Sequence, residues 1–397
     1  KEVTIAAVRE FSGIVSVISE YVTLKKRGRS HLGLCPFHSE KSPSFHVSED
    51  KRLWHCFGCQ EGGDLLSFVM KIETVGFVDA VRMIAEKAGI EIEETEGGGE
   101  NSAQQYAKDQ LLELLFVSRQ YFEKAFVSHD EVQAYCKSRG ILSETATHFG
   151  LGICPDVAQY KSFCSDQGFS EDQLVQSGLF YRGEDGYLGF RFQNRLLFPI
   201  SNHMGKTVGF GGRRLTEDKN TAKYINSPET EIFNKGRLLY NVHSAKKEMK
   251  KQSMAIVMEG YMDVVIAHQN GIENVVASMG TALTSMQAQQ LHRIVSKVTL
   301  ALDSDEAGQQ AVEKSFPVLS SQGLQVSVLE MSEKDPADFL LTYGEESFLA
   351  ELHDAKPFFD YIITQKLAAI DRSDVQAVSQ LVDSLAPLFR SEKDEII

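Results

Sequence analysis

No apolar run in this 397-residue sequence approaches the ~18 residues that a helix needs to cross a bilayer. No signal-peptide pattern opens it, and no internal repeat is visible. Cysteine is scarce: there are six, and three of them share one short box. The others, Cys136, Cys154 and Cys164, do not make a disulfide framework, so we expect a reducing, cytoplasmic setting. A net basic charge is lacking too. The formal charge of −14, taken alone, argues against a nucleic-acid partner. That mean conceals a segregation. Residues 191–251 hold 13 Lys/Arg against 5 Asp/Glu, whereas residues 301–340 hold 2 against 8. Fields are screened within about 8–10 Å, so a basic segment acts locally whatever the total. The hydrophobic share of 42% and charged share of 24% suit a globular protein, and the length suits two or three domains. The sequence starts on Lys1 without a methionine and stops on Ile397 inside a charged, helix-like stretch, so we expect it to be trimmed from a longer chain.

The most informative residues are Cys35 and His38, then Cys56 and Cys59, with seventeen residues between the pairs. Two residues separate the members of each pair, so one tight turn can aim both side chains at one point. Two such turns joined by a short sheet make a tetrahedral zinc cage of thiolates and imidazole. Four protein ligands leave no open position, so this single zinc is expected to be structural. His31, His46 and His55 lie nearby as spare ligands. His55 is disfavoured because it adjoins Cys56 and points to the other face of a strand. Phe37, Phe45, Trp54 and Phe57 lie among the ligands. Phe45 and Trp54 either stack on nucleic-acid bases or pack the small ribbon core.

The pattern divides the chain. Residues 1–92 begin with a helical pattern (Ile5, Val8, Ile14, Val15, Ile18) and a basic run from Lys25 to Arg29, followed by the zinc box. Helices are expected at 64–71 and 77–88. Residues 93–105 are acidic, Gly-rich and read as a flexible linker. A helix over 111–126 opens the next part, 106–252, which is basic and strand-rich, with a hairpin expected around a turn at 202–206. Residues 253–342 alternate strand and helix: strands at 254–258, 274–277, 298–302 and 325–329, helices at 262–269, 285–295 and 307–319. That alternation means a parallel sheet. Residues 343–397 read as helical without a strand. The fold class is therefore α+β and multidomain.

In parallel sheets the functional groups sit at the carboxyl ends of the strands. Glu259 follows the first strand, Asp303 and Asp305 the third, and Asp335 and Asp338 the fourth. Each acid alone could be a helix cap or a solvated loop acid. Three clusters at one edge repel one another, by about 4 kcal/mol for a pair at ~4 Å, and a hard divalent metal such as magnesium offsets this. Two metals beside a basic strip suit in-line displacement at phosphorus on a nucleic acid. Nucleotidyl transfer, phosphodiester hydrolysis and strand passage all remain open on these residues. Strand passage also needs a tyrosine nucleophile on a separate domain, and nothing marks one; Tyr261 reads as packing. A non-catalytic zinc-ribbon binder gains nothing from acids that repel phosphate.

These motifs resemble those of bacterial DnaG-type DNA primases. The box CPFHSEKSPSFHVSEDKRLWHCFGCQEGGD is similar to that family's zinc ribbon. RFQNRLLFPI, GFGGRRL, KYINSPETEIFNKGRLLY and EGYMDV resemble successive motifs of its polymerase core, and ALDSDEAGQQA resembles the acidic motif of its Toprim fold. The resemblance implies a zinc-ribbon domain (1–92), a basic N-terminal subdomain of the core (106–252), a Toprim α/β subdomain (253–342) and a helical segment (343–397). It implies an RNA polymerase that makes short RNA primers de novo on single-stranded DNA from ribonucleoside triphosphates, leaving an RNA–DNA hybrid. Glu259 then matches the catalytic acid, with Asp303 and Asp305 beside it as catalytic residues, and Glu259, Asp303, Asp305 and Asp335 match acids that hold two or more magnesium or manganese ions. Arg195, Arg213, Lys223, Lys235 and Arg237 fall in the basic motifs for template and nucleotide. In that family a further C-terminal domain docks on the replicative helicase, and we expect that domain to lie outside this sequence.

Three departures stand out. The loop that usually reads Asp-Pro-Asp reads Asp335-Pro336-Ala337-Asp338 here. Ser304 stands where Gly is common, and Gln193-Asn194 where a more basic pair can occur. Either Asp338 substitutes for the missing acid, or the second metal is held more weakly by Asp335 and water. A residue one step along a helix points roughly 100° away, which favours the second.

Overall fold

The structure is a computed structural model and describes residues 8, 11, 13–28, 30–38, 40, 42–73, 75, 77–90, 99–216, 221–280, 282–333, 335–368, 370–371 and 373–391. The chain divides into two compact units, Lys1–Ser102 and Ala103–Ile397.

The first unit is built on a five-stranded antiparallel meander: β1 (Lys25–Arg27), β2 (Ser30–Gly33), β3 (Phe45–Ser48), β4 (Leu53–Cys56) and β5 (Gly62–Gly63), in that spatial order. Register decides which residues go inside. Phe45 pairs with Cys56 and Val47 with Trp54, whereas His46 pairs with His55. Alternation then sends Phe45, Val47, Trp54 and Cys56 to one face, where all four are buried. Helices Leu65–Glu73 and Phe77–Ala88 stand where periodicity places them, and Phe68 and Ile84 are fully buried against the same core. Of the expected N-terminal helix, Ile14–Ser19 is observed; Ile5 lies outside the described residues, as does Arg29 of the basic run.

Most of a long helix, Gly99–Val127, belongs to the second unit. The helix takes in residues 99–105, which the sequence reading assigned to the linker; residues 93–98 lie outside the described residues. Glycine near a helix start costs little, and the following Ala-Gln-Gln stretch has good helix propensity, so polarity alone misplaced this boundary. A small pair, β6 (Phe180–Arg182) and β7 (Leu188–Phe190), precedes the expected hairpin of β8 (Arg195–Ser201) and β9 (Thr207–Arg214). Asn202 closes the turn. Its amide donates to the Lys206 carbonyl at 2.9 Å, and its Oδ1 accepts from the Met204 and Lys206 amides. β10 (Tyr224–Asn226) pairs on the far side of β9. Both hairpin strands are buried along nearly their whole length, so this sheet is covered on both faces and does not alternate inside and out.

Beside it lies the parallel sheet, in the order β12-β11-β13-β14-β15: β11 (Met254–Met258), β12 (Val275–Ala277), β13 (Lys297–Leu300), β14 (Gln325–Val328) and β15 (Lys356–Pro357). The first four run parallel and carry the apolar, β-branched runs of strands buried between helices. β15 is antiparallel and corrects the expectation of a purely helical tail. Two residues leave no periodicity to read, and Pro357 tolerates only such an edge position. Helix Pro336–His353 breaks at Gly344, whose φ is +78°. Helices Phe358–Ala368 and Val375–Ser391 follow. Among the described residues no helix is long and apolar enough to cross a membrane.

Candidate functional site

In the first unit, the turn after β2 and the turn after β4 bring Cys35, His38, Cys56 and Cys59 together. Their ligand atoms all lie within 4.8 Å of one another. Cys35 Sγ is 3.9 Å from Cys59 Sγ, and Cys56 Sγ is 3.7 Å from His38 Nδ1. Ligands ~2.3 Å from a shared tetrahedral centre stand about 3.8 Å apart, so the quartet fits zinc. His31, His46 and His55 are not part of it. The immediate surroundings of Cys56 suit a thiolate. Cys56 Sγ accepts from the amides of Gly58 (3.3 Å) and Cys59 (3.5 Å) and lies 3.1 Å from Ser44 Oγ. Burial raises the Cys56 pKa, but these hydrogen bonds outweigh it and bring the thiol below its ordinary range.

Sequence reasoning missed Glu40. It accepts from the Cys35 amide at 2.7 Å and from the Ser44 amide at 3.1 Å, and its Oε2 is 3.3 Å from His38 Nε2. It thus fixes the turn and orients the imidazole so that Nδ1 faces the thiolates. The signal was present as an acid two residues after a ligand histidine. Of the two readings for Phe45 and Trp54, packing is what is seen: the rings stack at 5.3 Å, and Trp54 Nε1 donates to the Asp64 carbonyl at 3.0 Å. The aromatic on the outer face is Phe57, which is 62% exposed and edge-on to His46 and His55.

In the second unit, β11, β13 and β14 deliver their acids to one sheet edge as expected. Glu259 directly follows β11, and its Oε1 accepts from the Asp303 amide at 3.3 Å. Burial raises its pKa, the Asp303 amide opposes this, and the charge of Asp305 adds to it. Asp305 caps helix Glu306–Ser320 by accepting from the Gly308 amide at 3.1 Å. Gly308 has no substitute here, because a Cβ would lie 1.9 Å from the Asp303 carbonyl oxygen. Asp335 caps helix Pro336–His353, its Oδ1 accepting from the Asp338 amide at 2.8 Å. One oxygen of each capping acid is thereby spent, and the other is left for a ligand.

A fifth acid, Asp263, was quoted in its motif but given no role. It lies one helical turn beyond Glu259, is buried, and accepts from the Gly260 amide at 3.0 Å. Burial first, then the charges of Asp335 and Asp303, push its pKa up to about 7, with Glu259 adding less. Asp263 therefore senses all three strand ends. The spacing Glu259-x-x-x-Asp263, at the start of a helix, was the available signal. Such an all-oxygen, mutually repelling set has the donor chemistry of a hard divalent cation. It is spread more widely than the zinc quartet: among the described residues only the quartet has three or more such ligand atoms all within 4.8 Å.

Asp338 is exposed on its helix, while Ala337 is buried beside it. Asp335→Asn is therefore expected to cost catalysis more than tenfold with a small change in melting, since Asn caps about as well as Asp. Asp338→Asn should change the rate less than tenfold. A dead, normally melting Asp338→Asn would make Asp338 the substitute ligand.

The basic residues separate into two groups. Arg195 and Arg213 are 7% and 6% exposed. Arg195 donates to the carbonyls of Gly212 (3.2 Å) and Lys223 (3.4 Å), and Arg213 donates to the hydroxyls of Tyr135 (2.5 Å) and Tyr224. The doubly covered hairpin buries them, so both act as internal ties for β8–β10. Lys223 and Arg237 are exposed. Lys235 is half-buried: the Asn226 side-chain amide lies 3.1 Å from Lys235 Nζ and 2.5 Å from the Tyr261 hydroxyl. Tyr261 is buried between Phe198 and Tyr240, as the packing reading requires.

Known families match in the order of these parts. The CHC2 zinc finger matches residues 1–100, the N-terminal domain of the DNA primase catalytic core residues 121–246, and a Toprim-like domain residues 256–340. The DNA primase of Clostridium acetobutylicum is 39% identical over 99% of this chain, and that of Geobacillus stearothermophilus 38% over 94%. The chain spans 66% and 62% of their lengths. Among solved structures, the zinc-binding and RNA polymerase domains of the Aquifex aeolicus primase match with a TM-score of 0.67 and 30% identity, over 99% of this chain and 93% of that one. A DnaG primase catalytic domain bound to single-stranded DNA matches with a TM-score of 0.64 and 29% identity, over 73% and 93%.

Proposed function

Because this chain belongs to the DnaG-type DNA primase family, we propose that it synthesises short RNA primers de novo on a single-stranded DNA template, by metal-dependent nucleotidyl transfer. The observation that carries this reading is the carboxylate edge, where Glu259 is tied to the Asp303 amide and the charges of Asp335 and Asp303 bear on Asp263. Asp263, Asp303, Asp305 and Asp335 would hold two or more magnesium or manganese ions. Such ions, when bound, neutralise phosphate charge and acidify an attacking hydroxyl. Glu259, whose pKa is already raised by burial, is suited to accept the 3′-hydroxyl proton. Lys235, beside Asn226, faces the phosphates of the template and of an incoming ribonucleotide. Lys223 and Arg237 face the template backbone, and Arg195 and Arg213 hold the sheet that presents them.

The ribbon unit contributes template selection through its outer face, where β1 exposes Lys25 and Arg27 and where Phe57 offers a stacking surface. The setting is the cytoplasm, at a replication fork. The test is direct. Single-stranded template, ribonucleotides and magnesium should yield short RNA products; cleavage of the DNA instead would favour a Toprim nuclease.

Binding is expected to rest on backbone neutralisation. Lys223→Ala and Lys235→Ala should weaken binding about equally across template sequences, each flattening the log–log salt slope by ~0.7. Arg213→Ala should act differently, lowering stability by about 1–3 kcal/mol because it strands two partly buried tyrosine hydroxyls. Salt titrations and thermal melts of the three variants separate these outcomes. An unchanged slope in both lysine variants would remove the strip from the interface.

A further inference from the structure

Lys235 and Arg237 ride on one short 3₁₀ turn, Lys235–Arg237, which has little to hold it by itself. Its N-cap residue, Asn234, makes no side-chain cap, and the bond from the Leu238 amide to the Lys235 carbonyl is long, at 3.4 Å. The turn is fastened from outside instead. Glu229 Oε1 accepts from the Lys235 amide at 3.0 Å. Beyond the turn, Tyr240 bridges Ala277 of β12, with amide-to-carbonyl distances of 2.9 and 3.2 Å. Between these points the start of helix Ser285–His292 takes hold. The hydroxyl of Thr284, its N-cap, donates to the Gly236 carbonyl at 2.6 Å. Gln287 Nε2 donates to the Lys235 carbonyl at 3.1 Å and to the Leu238 carbonyl at 2.7 Å. The carbonyls of Lys235, Gly236 and Leu238 are thus all drawn onto one helical turn.

Gln287 is fully buried, at 0% exposed. Its Oε1 accepts from the Thr284 amide at 2.9 Å while its own amide donates to Thr284 Oγ1 at 3.2 Å, a complete capping box. Glutamate would close that box equally well. It could not donate to the turn, and it would set a buried carboxylate against two carbonyl oxygens. The amide therefore does a second job that capping does not require. Drawing the carbonyls inward turns the cations the other way: Arg237 is exposed, and Lys235 stands half-buried beside Asn226. The helix follows β12, and Ala277 of that strand pairs with Met258, the residue before Glu259. The turn is thereby built onto the same sheet that carries the acids.

We propose that Gln287, with Thr284, is a positioning residue for primer synthesis: it touches neither template nor nucleotide, and it fixes the turn from which Lys235 and Arg237 meet their phosphates. This rests on the phosphate-facing reading of those two cations given above. The test is made on the whole chain, by ribonucleotide titration of primer synthesis and by template binding across a salt series. Gln287→Met keeps the bulk of the side chain and removes its donors. It should raise the ribonucleotide KM and the template Kd about fivefold, within the range of coupling between residues in contact. It should leave kcat little changed, the signature of lost binding in the ground state. The salt slope should flatten by up to ~0.7, toward that of Lys235→Ala. In a chain already carrying Lys235→Ala and Arg237→Ala, adding Gln287→Met should have almost no further effect on KM, Kd or slope, because the turn then holds nothing to aim. Thr284→Val supplies a milder variant that loses the Gly236 tie, and Thr284→Ser, which keeps the hydroxyl, should recover most of the affinity that Thr284→Val loses. A Gln287→Met chain that melts lower but keeps its KM and salt slope would make the ties structural only and overturn the positioning role. Equal losses with and without the two cations would overturn it as well, as general damage to the unit. Normal binding by the Lys235→Ala Arg237→Ala chain would remove the reading of the cations themselves, and the positioning role with it. Should Gln287→Met fail to fold, equal binding by Thr284→Val and Thr284→Ser would decide against the role.

Discussion

Glu259→Gln is expected to abolish dinucleotide formation while leaving affinity for single-stranded DNA essentially unchanged. The substitution keeps the shape of the side chain and an oxygen for the Asp303 amide, now 3.3 Å from Glu259 Oε1. It removes the charge and the basicity. Loss of a positioned proton acceptor typically costs about 10²–10⁴-fold, and loss of one metal-facing charge adds to that. The fold should not suffer. Glu259 is partly buried against Asp303, Asp305 and Asp263, so removing one of several repelling carboxylates should leave the melting temperature equal or higher. DNA affinity should persist because, on the proposed reading, the template backbone is met by Lys223 and Arg237 and not by the acids. The measurement is primer synthesis from labelled ribonucleotides beside a binding titration on the same preparation. Activity within about tenfold of the unaltered chain would place the chemistry elsewhere, since no acid–base role survives so small a loss.

Much of this was legible because two signals are local. The zinc quartet depends on spacing within two tight turns, and the sheet edge depends on strand–helix alternation, which places Glu259, Asp303 and Asp335 without knowledge of the rest. What escaped was set by tertiary cover. Arg195 and Arg213 read as free cations because a basic hairpin is normally solvated on one face. Burial of β8 and β9 along nearly their whole length turns them into internal donors. Asp263 escaped for the converse reason: its identity was visible, but its burial and the charges bearing on it come from three separate strands. The two-residue β15 escaped because no periodicity exists over two positions. The helix start at Gly99 was hidden by a composition that resembles a linker.

Cys56→Ser is expected to remove zinc almost completely and to unfold the first unit alone. The reason lies in the core of that unit. Its core is a thin layer of Phe45, Val47, Trp54 and Phe68 between a five-stranded meander and short helices. So thin a core, on strands of two to four residues, is marginal without a staple, and a structural zinc contributes on the order of 10–16 kcal/mol. Serine cannot replace the thiolate, because its hydroxyl stays protonated at neutral pH and is shorter. Cys56 is also the ligand on which the Gly58 and Cys59 amides and the Ser44 hydroxyl converge, so its loss unties both turns. Metal analysis should find little zinc, and limited proteolysis should consume Lys1–Ser102 while Ala103–Ile397 resists. A second variant separates ligand loss from general damage. His38→Cys keeps four zinc-competent donors, and Cys₄ sites are as well adapted to zinc as Cys₃His sites, so zinc and protease resistance should largely return. Full zinc retention in Cys56→Ser would remove Cys56 from the ligand set. Zinc loss with an intact, protease-resistant first unit would mean that the apolar layer holds the fold unaided.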